Sequence, residues 1–392
     1  MRPIKLLNWI KNYFSKVISK FLKNFYFNIF DCSILCLGYS QGDKKTALLS
    51  GHPLILTFTE EKIERHHPFA KMQLIILTLL IKRGYKVDYV SYKKKSYSDK
   101  KYDLVIGLGD QYRNAKLKKN GKRILLLEEN DPKFSYENEL KRVKNFNIKY
   151  KKKYKINRSK KFYLSSDIYL ANFVMAHATN IVKNIKQIYK TDCYYTPVFG
   201  IQTKKIKYKN NNPKVLNLMW LGGPAFIHKG LDIVIEAIKN DARFYLHVCG
   251  IKESNVPRSL KRNNNVSFYG FIDIKSSLYK NLVSICSHSI LLSASEGFPT
   301  SIVTNMYSGL IPIISGIEEN LPSYAISLKE NEVNDKNLKK ILCEQYKLIN
   351  NSYVNNLRNI VSEYSNQFYS EEIFQTYFIK AFDEITQTKI NY

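Results

Sequence analysis

Ser293-Ala294-Ser295-Glu296-Gly297-Phe298-Pro299-Thr300-Ser301-Ile302-Val303-Thr304-Asn305-Met306-Tyr307-Ser308-Gly309-Leu310-Ile311-Pro312-Ile313 decides how this chain is read. An apolar run at 289–292 has the character of a strand and leads into a loop holding one carboxylate, Glu296. Pro299 then opens a helix, Gly309 closes it, and 311–314 begins the next strand; Pro suits the first helical turn and Gly the position just past the last. This order puts Glu296 at the carboxyl end of a sheet strand, where open α/β sheets bind ligands. The N–H groups of Thr300, Ser301 and Ile302 face the same place, as an anion requires. A carboxylate for hydroxyls beside a helix start for phosphate is the pairing a nucleotide sugar needs. The alternative is a carboxylate that only stabilises the helix dipole.

A second motif lies upstream: Trp220-Leu221-Gly222-Gly223-Pro224-Ala225-Phe226-Ile227-His228-Lys229-Gly230-Leu231-Asp232. A strand ends, two glycines let the backbone approach a ligand, and Lys229 enters before the next helix. It reads as a phosphate cradle or as a Gly-rich turn with a solvated lysine. Further strands are expected at 215–221, 244–249 and 266–269, giving an α/β unit with a parallel sheet. The turn Tyr269-Gly270-Phe271-Ile272-Asp273 follows the third.

The first half shows the same alternation. A buried strand is expected at 54–58, a polar loop at 60–67, and a helix from Pro68 to Lys82 stopped by Gly84. Strands are expected at 87–91, 104–108 and 124–127, and 167–171 with a helix near 178–190 continues the pattern. Residues 203–213 are rich in Lys and Asn and read as a linker. The division is therefore 1–50, basic helix and connector; 51–202, first Rossmann-like domain; 203–213, linker; 214–365, second Rossmann-like domain; 366–392, a terminal helix. No solenoid repeat is visible.

Residues 4–27 have helical periodicity, with a wide aromatic face and a basic face that lacks acid. That is the composition of a helix lying in a membrane interface, although a helix packed on the protein's own core has similar periodicity. No run of about 18 uncharged apolar residues is present, so no spanning helix is expected. Lysines interrupt every apolar run near the N-terminus, so no cleaved leader is expected.

The 392 residues suit two domains of ordinary size. The formal net charge is +29, from 62 Lys and Arg against 33 Asp and Glu. Such a balance attracts anionic partners, although abundant Lys, Asn, Ile, Tyr and Phe also point to AT-rich codons. Eleven of the basic residues fall in 141–161 without one acid, interleaved with Phe146, Ile148, Tyr150, Tyr154 and Ile156. This run suits nucleic acid, anionic lipid, the diphosphate of a lipid-linked acceptor, or plain solvent. The six cysteines form no Cys-x-x-Cys pair and no His cluster has zinc spacing, so reduced thiols and no metal site are expected.

The Glu-Gly-Phe-Pro stretch with its helix and Gly-Leu-Ile-Pro resembles the donor-site signature of the retaining, two-Rossmann-domain (GT-B) glycosyltransferases of family 4, most specifically over residues 215–315. The resemblance implies an α/β fold of two Rossmann-like domains facing a central cleft, with a terminal helix that crosses back to the first domain. It implies that Glu296 orients the donor sugar and Lys229 meets its diphosphate as the catalytic pair. Gly222, Gly223, His228, Phe271, Phe298, Pro299, Thr300, Ser301 and Thr304 would line the donor site. It also implies an acceptor loop after the first strand, where His66 and His67 are the candidates to orient or deprotonate a hydroxyl.

Two positions depart from the pattern. The family's second Glu, which holds ribose, is Thr304 here; a bacterial subgroup that this chain resembles also has Thr in that slot, beside a similar His-Lys-Gly-Leu-Asp stretch. The family's Arg after the glycines is replaced by Gly223 or Pro224. One phosphate cation is therefore missing, and its place is left to His228 or to a basic residue from elsewhere in the chain.

The expected function is transfer of a sugar from a nucleotide diphosphate sugar to a saccharide or polyprenyl-diphosphate-linked acceptor, with retention and without metal or other cofactor. The setting would be surface polysaccharide synthesis on the inner face of the cytoplasmic membrane, with the anionic membrane surface as a partner. The missing Glu and Arg also suit a catalytically silent member of the fold acting as a membrane scaffold. The basic run also suits an RNA-binding protein, whose affinity would fall steeply with salt.

Overall fold

The structure, a computed structural model, describes residues 34–37, 45–57, 59–94, 99–159, 163–209, 212, 214–261, 263–317 and 321–387. The amphipathic segment 4–27 lies outside the described residues.

Two sheets carry the molecule. The first has seven strands: β1 Ile34–Leu37, β2 Thr46–Gly51, β3 Lys86–Ser91, β4 Lys101–Gly107, β5 Lys116–Leu127, β6 Phe173–Ala176 and β7 Asp192–Tyr195. Their order is β1-β3-β2-β4-β5-β6-β7, all parallel except β1, which pairs antiparallel with β3. The second sheet has six parallel strands: β8 Leu216–Leu221, β9 Phe244–Cys249, β10 Val266–Gly270, β11 His288–Leu291, β12 Ile311–Ser315 and β13 Ile326–Leu328. Its order, β10-β9-β8-β11-β12-β13, reverses between β8 and β11. A crevice opens at such a reversal, outside the carboxyl ends of the strands.

The helices form where the pattern and its stops agree. In α1, Pro68–Lys82, the ring of His67 accepts the Ala70 N–H, Pro68 takes the first turn, and Ala70, Met72, Leu74, Ile76, Leu77 and Leu80 are buried on the first sheet. Helix α2, Pro132–Tyr150, begins with Asp131 capping Phe134 N–H at 2.8 Å. Helix α3, Thr300–Tyr307, lies between β11 and β12, with Pro299 at its cap. Helix α4, Asn351–Phe368, packs on α3, and α5, Glu371–Gln387, returns to the first sheet. There Lys71 pairs with Glu371, Arg83 pairs with Asp383, and Phe382 meets Tyr85.

Several expected elements are displaced. The first central strand is 46–51, within the expected connector, whereas Leu54–Thr57 is a short helix. The expected polar loop is the helix Glu60–His66, capped by Thr59. Residues 165–170 are helical and the strand follows at 173–176. Strand β13 was not expected.

The chain crosses between the sheets twice, at 200–203 and near 369, and both crossings rest on α3. Ile201 N–H donates to Thr304 Oγ1 at 2.9 Å, and Tyr307 Oη donates to Tyr369 O. Beside them Arg358 of α4 is 1% exposed. Its guanidinium donates to the carbonyls of Val283 (2.9 Å), Cys286 (2.6 Å), Ile206 (2.8 Å) and Ser308 (2.9 Å), joining four segments. Burying that charge is costly, and the carbonyls, with the Tyr208 ring 5.6 Å away, compensate it. Arg358→Met should keep the volume but take the donor from all four carbonyls, of which Ser308 O still accepts the Ile206 N–H, lowering stability by about 3 kcal/mol or more. Urea denaturation measures this, and an unchanged midpoint would refute the clamp.

Candidate active site

The reversal of the second sheet brings the two motifs together. The loop after β8 carries Gly222 to Gly230, and the loop after β11 carries Leu292 to Pro299. Ala294 N–H donates to His228 O at 2.7 Å, and the His228 ring meets Ser295 O at 2.9 Å through Nε2. Gly230, at φ +67°, lies so close to Leu292 O that a Cβ there would come within 2.4 Å of it. The two loops are thus one rigid floor.

Glu296 stands on this floor with its side chain 8% exposed. Lys229 Nζ approaches Oε1 at 2.9 Å, Ser293 Oγ donates to the same oxygen at 3.2 Å, and Arg158 lies 3.6 Å from Oε2. Burial by itself would raise the carboxyl's pKa, but Lys229 and Arg158 outweigh it and hold the group at about 2. Glu296 is therefore an anion at any physiological pH. Burial keeps His228 neutral, with its pKa lowered to about 4. Its Nε2 donates to Ser295 O, which leaves Nδ1 buried without a partner. A neutral ring supplies no cation, so His228 does not replace the missing arginine.

The other donor candidates divide. A Cβ on Gly223 would meet no protein atom within 4 Å, so space lies open there, whereas Gly222 is pressed on the Trp220 ring. Ile302 N–H turns back onto Pro299 O at 3.0 Å and is spent. Thr300 and Ser301 supply the N–H groups at the open end of α3. Phe271 is 69% exposed beyond β10. Phe298 is 1% exposed and packs against Tyr369 at 4.9 Å; it anchors the loop from below rather than facing a ligand. Pro299 is buried at the cap. Thr304 is 2% exposed, and its hydroxyl donates to Thr300 O at 2.8 Å while accepting from Ile201. Its hydrogen-bonding is used within the protein, under the first chain crossing.

The first half closes over the floor. Gly297 permits the approach, since a Cβ there would lie 2.5 Å from Glu128 O. From α2, Asn138 donates to Ala294 O at 3.2 Å, and Arg142 donates to Leu292 O and Ser293 O while pairing with Glu330 at 3.2 Å. Arg158 bridges Glu129, at 3.0 Å, and Glu296. Arg142 and Arg158 both belong to the basic run, and Lys149 in it lies 3.5 Å from both Glu236 and Asp335. The run thus turns part of its charge inward.

Glu128 and Glu129 follow β5 and were not expected as site residues; their only signal is a carboxylate pair directly after an apolar strand. Burial pushes the Glu128 carboxyl up to about 8, so it is protonated at neutral pH, and Gln73 donates to it at 2.9 Å. Gln73 also accepts from His52 N–H and Tyr89 Oη, which ties this acid to the end of β2. His66 ends the helix Glu60–His66. His67 spends Nδ1 on capping α1, lies against His52 with ring centroids 4.1 Å apart and the rings tilted by 42°, and is held neutral by burial at about 4. Among the described residues no group of three or more His, Cys, Asp or Glu is placed to hold a metal ion, and no helix is long and apolar enough to cross a membrane.

The two carboxylates have opposite linkage to pH. Glu296 is depressed, so its stabilisation is present above about 4.5 and lost as pH falls toward about 2. Glu128 is raised, so its contribution is complete below about 4.5 and lost as pH rises through about 8. Thermal unfolding of Glu128→Gln should therefore gain on the wild type between pH 5 and 9, whereas Glu296→Gln should show less loss than wild type between pH 4.5 and 3. Parallel profiles for all three proteins would refute both assignments.

Residues 202–367 match the family model described as "Glycosyl transferases group 1". No curated protein matches the chain in sequence. Among solved structures, the chain is similar to sucrose-phosphate synthase from Thermosynechococcus elongatus, with TM-score 0.57, 10% identity, and coverage of 88% of this chain and 99% of that one. It is also similar to WaaG, a glycosyltransferase involved in lipopolysaccharide biosynthesis, with TM-score 0.52, 13% identity, and coverage of 88% and 100%. A glycosyltransferase from Rickettsia africae ESF-5 gives TM-score 0.51, 13% identity, and coverage of 89% and 100%. The two sheets are those of the GT-B architecture, and residues 202–367 are similar to the glycosyl transferases of group 1.

Proposed function

We propose that this protein is a retaining glycosyltransferase that moves a sugar from a nucleotide diphosphate sugar to a saccharide or lipid-linked saccharide. The observation that carries the reading is Glu296, an ionised and almost buried carboxylate joined to Lys229 at the strand-order reversal, beside the open end of α3. A carboxylate accepts sugar hydroxyls through charge-assisted bonds. Lys229 and the N–H groups of Thr300 and Ser301 offset the charge that grows on the departing diphosphate. In the retaining reaction the bond from the anomeric carbon to the diphosphate oxygen breaks. The acceptor oxygen bonds to that carbon on the same face, and the acceptor's proton passes to the leaving oxygen. No separate strong base and no metal is required in this scheme.

The structural neighbour in lipopolysaccharide synthesis, with the group 1 match, supports a role in surface polysaccharide assembly. The basic, aromatic pattern of residues 4–27 supports an acceptor met at an anionic membrane surface, on the inner face of the cytoplasmic membrane. An RNA-binding role finds less support, because Arg142, Lys149 and Arg158 of the basic run pair with carboxylates of the protein itself. A silent scaffold remains the second reading, favoured by the engaged hydroxyl of Thr304.

Glu296→Gln should retain the fold and lower transfer by roughly 100-fold or more, as loss of one preorganised charged partner does. Lys229→Ala should weaken nucleoside diphosphate binding roughly 10- to 100-fold. The assay is a thermal-shift screen of nucleotides and nucleotide sugars, followed by transfer with the donor it identifies. Full turnover by both variants would remove these residues from the site, and a wild-type protein that binds nucleotide sugar without ever turning it over would favour the scaffold.

Anionic vesicles should bind the full chain at low salt and release it at high salt, since Lys5, Lys11, Lys16, Lys20 and Lys23 each add about 1 kcal/mol near such a surface. A chain lacking residues 1–30 should stay folded and sediment less with the vesicles. Indifference of the full chain to vesicles would remove the support for a membrane acceptor.

A further inference from the structure

The second half brings one cation to Glu296 among the described residues, Lys229, while a nucleoside diphosphate carries at least two negative charges. The loop Gly222-Gly223-Pro224 offers none. A second cation nevertheless reaches the same carboxylate, from the first half. We propose that Arg158 is the second diphosphate-binding cation, so that the donor site is complete only when the two halves are closed. This inference rests on the donor site proposed above.

Arg158 is delivered by a built loop. Glu139, on α2 and 1% exposed, accepts the backbone N–H groups of Asn157 (3.0 Å), Arg158 (3.1 Å) and Ser159 (2.6 Å). Ser159 Oγ closes the loop onto Ser135 O at 2.9 Å. One buried carboxylate thus spends its acceptors on three successive amides, and the side chain in their midst points across to Glu296. The same helix holds the donor floor through Asn138 and Arg142. The element that aims the guanidinium therefore also fixes what it is aimed at.

The partners of Arg158 look provisional. Its contact to Glu296 is 3.6 Å, longer than a hydrogen bond, and its Nε is buried without an acceptor. His228 Nδ1 and Ser295 Oγ, flanking the same carboxylate, are also buried without partners. Buried polar groups are ordinarily satisfied, so these orphans mark a place for a ligand: Arg158 Nε can only donate, as to a phosphate oxygen, and the neutral His228 Nδ1 can only accept, as from a sugar hydroxyl. Charge leads to the same conclusion. Without ligand, Arg158 and Lys229 face Glu129 and Glu296, with Glu139 a third carboxylate acting on Arg158. When sugar hydroxyls take the oxygens of Glu296, Lys229 is freed toward a diphosphate, and Arg158, still anchored on Glu129 at 3.0 Å, has a planar fork that suits phosphate oxygens.

The experiment is calorimetric titration of the full chain with the nucleoside diphosphate that wild type binds, drawn from UDP, GDP, ADP, CDP and dTDP, and with its parent nucleoside. Arg158→Ala should weaken the diphosphate roughly 10- to 100-fold and leave the nucleoside unchanged, with Arg158→Lys recovering part of the loss. Glu139→Gln, which keeps the packing and loosens the loop, should show the same selective loss in milder form. Diphosphate affinity that is unchanged or tighter in a folded Arg158→Ala or Arg158→Lys protein would make Arg158 a latch on Glu296 and overturn the assignment while the donor site stands. A wild-type protein that binds none of the five diphosphates overturns both. Equal losses for nucleoside and diphosphate would show a general collapse of the site and also count against a phosphate role.

Discussion

A carboxylate taken almost out of water must be neutralised, and Glu296 is neutralised from two sides at once. Lys229 comes from its own half of the chain and Arg158 from the other. Coulomb attraction between groups so poorly solvated is much stronger than between surface charges. Lys229, at 2.9 Å, offsets most of the cost of that burial, and Arg158 adds to it. The contact therefore does more than decorate a cleft: it makes the relative position of the halves part of the electrostatics of a single side chain. The other contacts of the closed cleft support the same arrangement. Helix α2 caps the carbonyls of Leu292, Ser293 and Ala294, and Gly297 lets the backbone at Glu128 come down on the loop.

What puts Lys229 near Glu296 at all is strand order. Residues 229 and 296 follow β8 and β11, which are distant in sequence and adjacent in the sheet because the order reverses there. The first sheet presents its own carboxyl ends, with His52 after β2 and the Glu128–Glu129 pair after β5, to the same space. One face of the cleft is thereby anionic and paired. The other holds the Arg158–Glu129 ion pair beside a protonated acid and neutral imidazoles, whose charge has been suppressed by burial. The asymmetry suits a reaction whose charge develops on the donor side.

Much of this could be read from residues. The strands at 216–221, 244–249 and 311–315 and the helices 68–82 and 300–307 were legible because Pro, Gly and a capping side chain punctuate uniform apolar runs. Leu54-Ile55-Leu56-Thr57-Phe58 misled because a short apolar run has no period that separates strand from helix. A strand assigned to that run leaves the true one, at 46–51, to the connector. Phe298 was misjudged because its motif shows which residues are near a ligand and not which side chain points down into the core. Arg158 was illegible for another reason. It sits among eleven basic residues of similar appearance, and only the grip of Glu139 on the loop singles it out.

Thr304 has a consequence of a different kind. It lies beneath Gly200, whose missing Cβ would come within 2.5 Å of the Thr304 backbone nitrogen, and it accepts the N–H of Ile201. Three residues further along α3, Tyr307 holds Tyr369, where the chain crosses back. One short helix therefore supports both connecting strips of chain, and its first turn is the end that adjoins the Glu296 loop. A longer acidic side chain at 304 would have to push the crossing chain off its seat. In this protein the slot is given to the axle instead of the cargo, and any swing of one half about the other would pivot on the helix whose opposite end adjoins the Glu296 loop.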